Sequence, residues 1–374
     1  MIYFDNASTS KPRKEVLDEF LKTSNNNYAN PSSIHKLAME NSANIERIKL
    51  NILRKLKLSD RDYEVIFTSG ATESNNLAIL GFCLKNKRRF YHVLTSVYEH
   101  ASVLNVFKEL EKQGFKVDYI KVNKEGVIDL DDLKNHLDAN PVFVSFMGVN
   151  NEIGTINDLN KIRDIIGENN VFHSDLVQGI GKVDLDLNKL DMFTFTGHKI
   201  NGLKGCGVLI KRKKLNIEPI IFGGGQQNNL RSGTLDYPSI CAFNVALDNL
   251  IKNKDIEYKN VKEIHDYLVS ELSKIDGVKI HNFLTSSPYI VSLSLLNKKA
   301  SVVVEALSNK DIFVNSESAC YSKRSDKSYV LEAIGCSEKE ASNPIRISLG
   351  LYNTMSEAEI FIKEFKDILE KVRS

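Results

Sequence analysis

Lys199 is the residue whose surroundings in the sequence most strongly indicate chemistry. It ends the segment Thr196-Gly197-His198-Lys199, directly after a predicted buried strand that runs through Phe195. Reactive groups of α/β proteins lie just past the carboxyl ends of such strands. Burial lowers the pKa of a lysine there, so that it can form a Schiff base. Taken alone, the position also fits an ordinary solvated loop lysine.

Asp175 and Gln178 follow another predicted strand, which covers Val171 to His173. An aspartate at a strand end can keep a pyridinium nitrogen protonated, as a pyridoxal phosphate enzyme requires. The same aspartate could instead cap the segment that follows. By itself this pair leaves both interpretations open.

The segment Thr68-Ser69-Gly70-Ala71-Thr72-Glu73 joins a predicted strand to a predicted helix. A Ser-Gly turn at a helix start presents free backbone N–H groups and the positive end of the helix dipole, which suits a phosphate. A plain helix cap is the simpler interpretation of this segment alone. A phosphate cradle, a pyridinium partner and a Schiff-base lysine at three strand ends of one sheet are unexpected by chance. Together they predict pyridoxal phosphate.

Strand-like and helix-like segments alternate through the first two thirds of the chain. Apolar residues at Leu77, Leu80 and Leu84 predict a helix over residues 71–85, after a strand at 64–68. This alternation predicts an α/β fold with a mostly parallel sheet that is covered on both faces. The further strand candidates are Tyr91–Thr95, Val117–Val122, Val142–Phe146, Val171–His173, Met192–Thr196 and Cys206–Ile210.

After about residue 250 the pattern changes to α+β. Residues 257–275 predict an amphipathic helix, and Thr354 with Glu357 predicts a capping box for a final helix. We therefore expect a large domain over residues 12–252, and a smaller domain built from residues 1–11 and 253–374.

Two loops are predicted in or next to the smaller domain. A charged loop at Lys252–Asp255 is expected to form the domain boundary. Residues 315–328 are rich in Ser, Lys and charge without an apolar period, so they predict an exposed, mobile loop that carries Cys320.

The composition of the 374-residue chain excludes several classes of protein. Lys and Arg total 50 and Asp and Glu total 48, and this net charge of +2 does not indicate a general nucleic-acid or membrane-surface binder. No apolar run is long enough to span a membrane, and no signal peptide is recognisable. The five cysteines form no CxxC pair. We expect free thiols, no metal site and a cytoplasmic location.

The order of the motifs resembles that of a known family. From residue 3 to about 350 the chain contains YFDNAST, ANPSSIH, TSGATESNN, VYEH, VNNEIG, HSDLVQ, TGHK, GGGQQNNLRSGT, SESAC and NPIRISLG. This set resembles cysteine desulfurases of the NifS/IscS type, within the class V aminotransferase group. The resemblance implies a fold-type I pyridoxal phosphate enzyme that forms a homodimer.

The resemblance also implies a role for each matching residue around the cofactor. Lys199 would hold it as a Schiff base and move the proton at the substrate Cα. Asp175 would pair with the pyridine nitrogen, Gln178 with the phenolic oxygen, and His100 would stack on the ring and transfer protons. The remaining cofactor-binding residues would be Ala71, Thr72, Asn151, Thr196, His198 and, across a subunit boundary, Thr234.

The resemblance also implies which residues bind the substrate and which residue takes up the sulfur. Asn151 and Arg346 would bind the substrate carboxylate, which suits the planar fork of arginine. Cys320 would attack the sulfur of L-cysteine as a thiolate, keep it as a persulfide and release L-alanine. The sulfur would then pass to an acceptor protein for iron–sulfur cluster assembly or tRNA thiolation, without direct contact to nucleic acid.

The chain departs from the family pattern at Ser8, Leu176, Gln227 and Glu317, and none of these changes removes a predicted catalytic group. A selenocysteine lyase or another class V enzyme is one alternative. A sulfur-relay scaffold without turnover is another, and the intact Lys199 argues against it.

Overall fold

The fold is seen in a computed structural model that describes residues 1–137, 140–316 and 327–372. Its strands are β1 (Ile2–Tyr3), β2 (Tyr63–Thr68), β3 (His92–Ser96), β4 (Lys116–Ile120), β5 (Val142–Ser145), β6 (Val171–Asp175), β7 (Met192–Thr196), β8 (Gly207–Arg212), β9 (Val278–Ile280), β10 (Ile290–Leu295), β11 (Ile312–Phe313) and β12 (Pro344–Ser348). Its helices are α1 (Lys14–Asn26), α2 (Lys36–Lys55), α3 (Ala71–Asn86), α4 (Ala101–Lys112), α5 (Leu130–His136), α6 (Leu159–Ile166), α7 (Tyr237–Leu272), α8 (Ala300–Ser308), α9 (Tyr329–Ala333), α10 (Glu338–Ser342) and α11 (Met355–Lys371).

A seven-stranded sheet in the order β2-β8-β7-β6-β5-β3-β4 forms the centre of the molecule. Strand β8 pairs antiparallel with β2 and β7, and the other neighbours pair in parallel. Apolar side chains cover both faces of this sheet. The predicted α/β fold with a mostly parallel sheet is therefore confirmed.

A second apolar core lies in the C-terminal part of the chain. It packs Ile2 and Phe4 against residues between Val261 and Ile368. The antiparallel sheet β12-β10-β9 and the short parallel pair β1-β11 belong to this part. The predicted capping box of Thr354 and Glu357 is confirmed at the start of α11. The shared core supports the division into residues 12–252 and residues 1–11 with 253–374, which stays a proposal.

The predicted charged loop at Lys252–Asp255 is wrong. These residues lie inside α7, a continuous helix of 36 residues that runs from one core to the other. Lysine and aspartate occupy an exposed turn of this helix, and lysine is a good helix former, so the charge there does not mark a break. None of the helices in the described part of the chain is long and apolar enough to cross a membrane.

Candidate active site

A cavity of about 470 Å³ opens where the carboxyl ends of the central strands meet the small sheet. The three strands that were expected to carry chemistry, β2, β6 and β7, run in the same direction and all end at it. The predicted site residues that line it are Ala71, Thr72, His100, Asn151, Asp175, Gln178, Thr196, His198, Lys199 and Arg346. One site therefore brings together residues that lie up to 275 positions apart in sequence (346 − 71).

Lys199 ends a 3₁₀ turn that directly follows β7. Its Nζ donates hydrogen bonds to the backbone carbonyls of Ala7 at 2.5 Å and Ser8 at 2.7 Å. The N-terminal segment is therefore a wall of the site. No role was predicted for Ala7 and Ser8, although the YFDNAST motif that contains them is part of the family resemblance.

Asp175 is buried at the end of β6. Its Oδ2 accepts a hydrogen bond from Asn75 Nδ2 at 2.8 Å, and its Oδ1 accepts one from the backbone N–H of Val177 at 2.9 Å. Thr194 Oγ1 in turn donates to Asn75 Oδ1 at 2.5 Å. These two bonds hold the carboxylate in one orientation. Asp175 therefore both accepts from the backbone of the segment that follows it and lines the cavity.

Gln178 lies beside a buried lysine that the sequence analysis did not identify. Gln178 Nε2 donates to the Ala7 carbonyl at 2.9 Å, and its Oε1 accepts from Lys182 Nζ at 2.9 Å. Burial, and then the positive charges of Lys199 and Arg346, lower the pKa of Lys182 to about 7. Lys182 fixes which way the Gln178 amide points.

The turn between β2 and α3 places the first helical residues, Ala71 and Thr72, at the cavity. Glu73 secures this turn, because its carboxylate accepts from Ser69 N at 2.8 Å and from Arg231 Nε at 2.7 Å and Nη2 at 3.2 Å. Burial opposes ionisation of Glu73, but the bonds from Arg231 and Ser69 outweigh it and lower the pKa of the carboxyl.

Strand β8 packs against the same turn. A Cβ atom on Gly207 would lie 2.5 Å from the backbone carbon of Gly70. Only a glycine therefore allows the two backbones to approach this closely. The neighbouring Thr196 hydroxyl donates to the Cys206 carbonyl at 3.0 Å, so it must rotate before it can donate to a phosphate.

The two site histidines are both shifted away from protonation. His100 is the N-cap of α4, with Nδ1 2.8 Å from Ser102 Oγ. Burial lowers its pKa below 6.5, the negative charge of Asp175 opposes this, and Lys199 and Arg346 add to the lowering. Burial and three nearby lysines lower the pKa of His198 to about 4. Both rings are neutral near pH 7.

Arg346 reaches the cavity from β12, and its side chain is buried. Its Nη1 donates to the Asn151 carbonyl at 2.9 Å, and its Nη2 donates to Asp5 Oδ1 at 3.1 Å and Ser8 Oγ at 2.8 Å. The Asn151 Oδ1 atom is buried and has no hydrogen-bond partner among the described residues. These contacts orient a guanidinium group beside an amide that can still bind a ligand.

Glu99 is a buried carboxyl group directly behind this site. Its Oε1 accepts from Ser96 Oγ at 2.6 Å and from Met147 N at 2.9 Å. Burial raises its pKa to about 8, which the two hydrogen bonds oppose and Asp175 reinforces. Glu99 is therefore largely protonated at neutral pH. Its role was not predicted, although it belongs to the VYEH motif.

Two predicted site residues are not part of the described cavity. Thr234 is exposed and does not line it. Cys320 lies outside the described residues, as do residues 317–326 of the loop predicted at 315–328. The described ends of that loop are not exposed as predicted, because Asn315 pairs with Arg346 of β12 and both Ser316 and Ser328 are buried.

Comparisons with known proteins show what this chain is similar to. The family model for class V aminotransferases matches residues 2–361. A NifS/IcsS protein homolog from Lactobacillus delbrueckii subsp. bulgaricus is 36% identical over 99% of this chain and 97% of its own. Cysteine desulfurase IscS 1 from Archaeoglobus fulgidus is 34% identical over 100% of this chain and 98% of its own.

Solved structures are similar to this chain as well. A NifS-like protein superposes with a TM-score of 0.92 at 33% identity, over 99% of this chain and 100% of that one. SspA in complex with cysteine superposes with a TM-score of 0.81 at 30% identity, over 95% and 100% of the two chains.

Proposed function

Since this chain belongs to the class V aminotransferase family, in its NifS/IscS cysteine desulfurase group, we propose that it is a pyridoxal phosphate-dependent cysteine desulfurase. It converts L-cysteine to L-alanine and takes up the sulfur. The observation that carries the proposal is the meeting of Lys199, Asp175 and Arg346 around one cavity. These are a Schiff-base lysine, a pyridinium partner and a carboxylate-binding arginine.

The donor set of the cavity fits pyridoxal phosphate. The first turn of α3 offers backbone N–H groups at Ala71 and Thr72 for the phosphate. Gln178 Nε2 gives one hydrogen to the Ala7 carbonyl and keeps a second for the phenolic oxygen. Asp175, held by Asn75, is a fixed anionic partner for a protonated pyridine nitrogen. When bound, pyridoxal phosphate draws electrons from the substrate Cα and makes its proton acidic.

Two histidines complete this set. His198, neutral and anchored through Nδ1 to Thr9 Oγ1 at 3.2 Å, presents its other ring nitrogen for the phosphate. His100 stands at the cavity with its Nδ1 held by Ser102 and its ring available for stacking. Thr234 would add a phosphate contact in the other subunit of a homodimer.

Substrate binding rests on Arg346 and Asn151. The guanidinium group is already held on both sides, so a substrate carboxylate meets a preorganised fork and little entropy is lost. Asn151 contributes its side-chain amide, whose Nδ2 would donate to the carboxylate, and its Oδ1, which has no partner in the described part of the chain, can accept from an N–H or O–H group of a ligand. This arrangement selects an α-amino acid with a free carboxylate.

Proton transfer falls to Lys199. Its amine lies at the cavity wall within reach of the N-terminal carbonyls, which hold it in place. The amine takes the proton from the substrate Cα as a general base. Burial keeps His100 neutral, and its Nδ1 accepts from Ser102 N at 3.1 Å, so the proton of the ring lies on Nε2 and can be donated into the cavity.

The assignment of the nucleophile rests on the SESAC motif alone. The Cys320 thiolate would form an S–S bond with the substrate sulfur while the Cβ–S bond breaks. The electron pair stays on Cβ, which takes a proton and becomes the methyl group of alanine. The outer sulfur of the persulfide then goes to the thiol of an acceptor protein.

A homodimer is supported by the surface around residues 221–234. Phe222 is 83% exposed there, close in sequence to the exposed Thr234. The adjacent Ile221 is also exposed and extends this apolar surface, and contiguous exposed apolar surface is typical of interaction sites. The iron–sulfur or tRNA-thiolation pathway, the identity of the acceptor protein and a cytoplasmic location remain predictions.

The test is an assay of the pyridoxal phosphate-loaded protein for alanine and sulfide from L-cysteine under reducing conditions. Selenocysteine runs in parallel, and a strong preference for it would favour the lyase alternative. Cys320→Ala should keep the cofactor absorbance and lose sulfide release, whereas Lys199→Ala should lose the visible band of the bound cofactor. Protein that binds no cofactor would refute the proposal, and a cofactor-loaded protein without turnover would favour the scaffold alternative.

A further inference from the structure

His281, Cys336 and Glu340 form a second cluster of reactive side chains, outside the catalytic cavity. One ligand atom of each lies within 4.8 Å of the others. His281 follows β9, Cys336 lies between α9 and α10, and Glu340 lies in α10. None of the three lines the catalytic cavity, and no step of the proposed reaction uses them.

We propose that these three residues bind a divalent transition-metal ion, with Zn²⁺ as the best match. The Cys336 Sγ atom lies 3.6 Å from His281 Nδ1. In a tetrahedral zinc site, with Zn–S about 2.3 Å and Zn–N about 2.0–2.1 Å, sulfur and nitrogen are separated by about 3.6 Å. The two side chains already have the separation that a shared ion requires.

The hydrogen-bond network fixes the histidine in the tautomer that binds metal. Ser294 Oγ donates to the Glu340 backbone carbonyl at 2.8 Å, so its proton is committed there. His281 Nε2, at 2.8 Å from the same Oγ, must therefore carry a proton and donate it. The lone pair is left on Nδ1, the nitrogen that faces Cys336. A metal-binding histidine is usually oriented in this way, by a hydrogen bond from its other ring nitrogen.

Glu340 supplies the third ligand atom. Its Oε2 accepts from Ser337 N at 2.7 Å and Ser337 Oγ at 2.6 Å in a capping box, so the carboxylate cannot turn away. Its Oε1 contacts Lys279 Nζ at 2.9 Å, and the Lys279 side chain is 55% exposed. An arriving ion would displace this ammonium group to solvent at small cost.

Metal binding requires the thiolate form of Cys336, so the ion replaces the thiol proton, which leaves to solvent. Because Cys336 is half-buried, a water molecule can take the fourth position.

Cobalt titration of the loaded enzyme tests this site, because a thiolate bound to Co²⁺ gives an absorption band that no carboxylate or imidazole gives. The titration uses Cys320→Ser protein, so that the predicted nucleophile cannot contribute. We expect one equivalent bound with this band, and Zn²⁺ should displace the cobalt. Adding Cys336→Ser should abolish the band and weaken Co²⁺ binding more than about 100-fold. Loss of a residue that only hydrogen-bonds to a metal ligand already costs about 10–100-fold in affinity.

A gain-of-affinity variant makes the test independent of folding damage. Lys279→Met removes the ammonium group that competes for Glu340 Oε1, so it should tighten Co²⁺ binding by about tenfold, the lower end of such effects. A band that persists in the Cys320→Ser, Cys336→Ser protein, no band in Cys320→Ser alone, or unchanged affinity in Lys279→Met would each overturn the three-residue site. Desulfurase activity is not a readout here, so failure of the proposed function would not affect the result.

Discussion

At the scale of single residues, burial sets the charge state of the cavity more than direct ion pairing does. Lys182, His198 and Glu99 are each pushed toward the neutral form, and burial is the largest cause in all three. Charge is kept where several donors hold a group, as at Glu73, where the bonds from Arg231 and Ser69 outweigh burial and lower the pKa of the carboxyl.

Glu99 predicts a pH-dependent loss of stability. Its pKa is about 8 in the folded protein and about 4.5 when unfolded, so between these values the folded state holds a proton that the unfolded state has lost. Stability therefore falls as pH rises through this window. Glu99→Gln removes the titration while keeping the acceptor for Ser96 and Met147. Relative to wild type it should gain about 2–4 kcal/mol between pH 5 and pH 8, since one pKa unit is worth about 1.4 kcal/mol.

Urea unfolding at several pH values measures this difference. Glu46→Gln, an exposed carboxylate, is the control and should show no such trend. A difference between Glu99→Gln and wild type that stays constant from pH 5 to pH 8 would contradict a protonated Glu99.

Arg346→Lys tests the geometry of the carboxylate site. A lysine keeps the charge but loses the planar fork that contacts both Asn151 and Ser8. We expect KM for L-cysteine to rise about 10–100-fold, because a charge-assisted bidentate contact is worth about 1.5–3 kcal/mol. The absorbance of the bound cofactor should be unchanged. Steady-state kinetics decides, and an unchanged KM would mean that the substrate carboxylate lies elsewhere.

At the scale of elements, the phosphate cradle depends on how closely two backbones approach. The turn before α3 rests on β8, and the Gly207 position leaves no room for a Cβ atom. The Glu73–Arg231 ion pair holds the other side of the turn. The free N–H groups at the start of α3 are therefore positioned partly by Gly207 and Arg231, which do not line the cavity.

Gly207→Ala should weaken cofactor binding. The added methyl group would lie 2.5 Å from the Gly70 backbone, so the turn must shift. A misplaced row of N–H donors should raise the dissociation constant for pyridoxal phosphate about tenfold or more, which corresponds to about 1.4 kcal/mol. Fluorescence titration of the cofactor-free protein measures it. Gly207→Ser should be worse than Gly207→Ala, and wild-type affinity in both would refute this account of the turn.

At the scale of the whole molecule, the cavity forms between two cores that share one long helix. Helix α7 packs in the central core at Phe243 and in the C-terminal core at Leu268. The N-terminal segment closes the site from the side of the small sheet, through Asp5 and Arg346. Both ends of the chain therefore contribute to one active site.

The homodimer proposal predicts a surface variant that dissociates. Phe222→Asp places a charge on the exposed apolar ring, and we expect a shift from dimer to monomer in light scattering. Cofactor affinity should fall at the same time, because Thr234 would no longer reach the other subunit. Leu284→Asp changes a fully exposed apolar residue of another loop and should stay dimeric. If only Leu284→Asp dissociates, the interface lies on another surface.

Local patterns in the chain are enough to predict the central sheet and the residues at its strand ends. Lys199, Asp175 and the turn at Ala71 follow short apolar segments, and parallel strands bring their carboxyl ends to one edge. The same local reasoning fails at Lys252–Asp255, because charge on an exposed helix turn resembles charge in a loop. Periodicity describes neighbours along an element and carries no information about what packs against it.

Only the tertiary structure brings Asp5 to Arg346, Lys182 to Gln178, and His281 to Cys336 and Glu340. Cysteine spacing along the chain argued against a structural zinc site, yet a histidine and a carboxylate from other segments lie beside one of these thiols. The contacts between distant segments come from the packing of separate elements around shared cores. The burial that neutralises Glu99 and Lys182 also exists only after that packing.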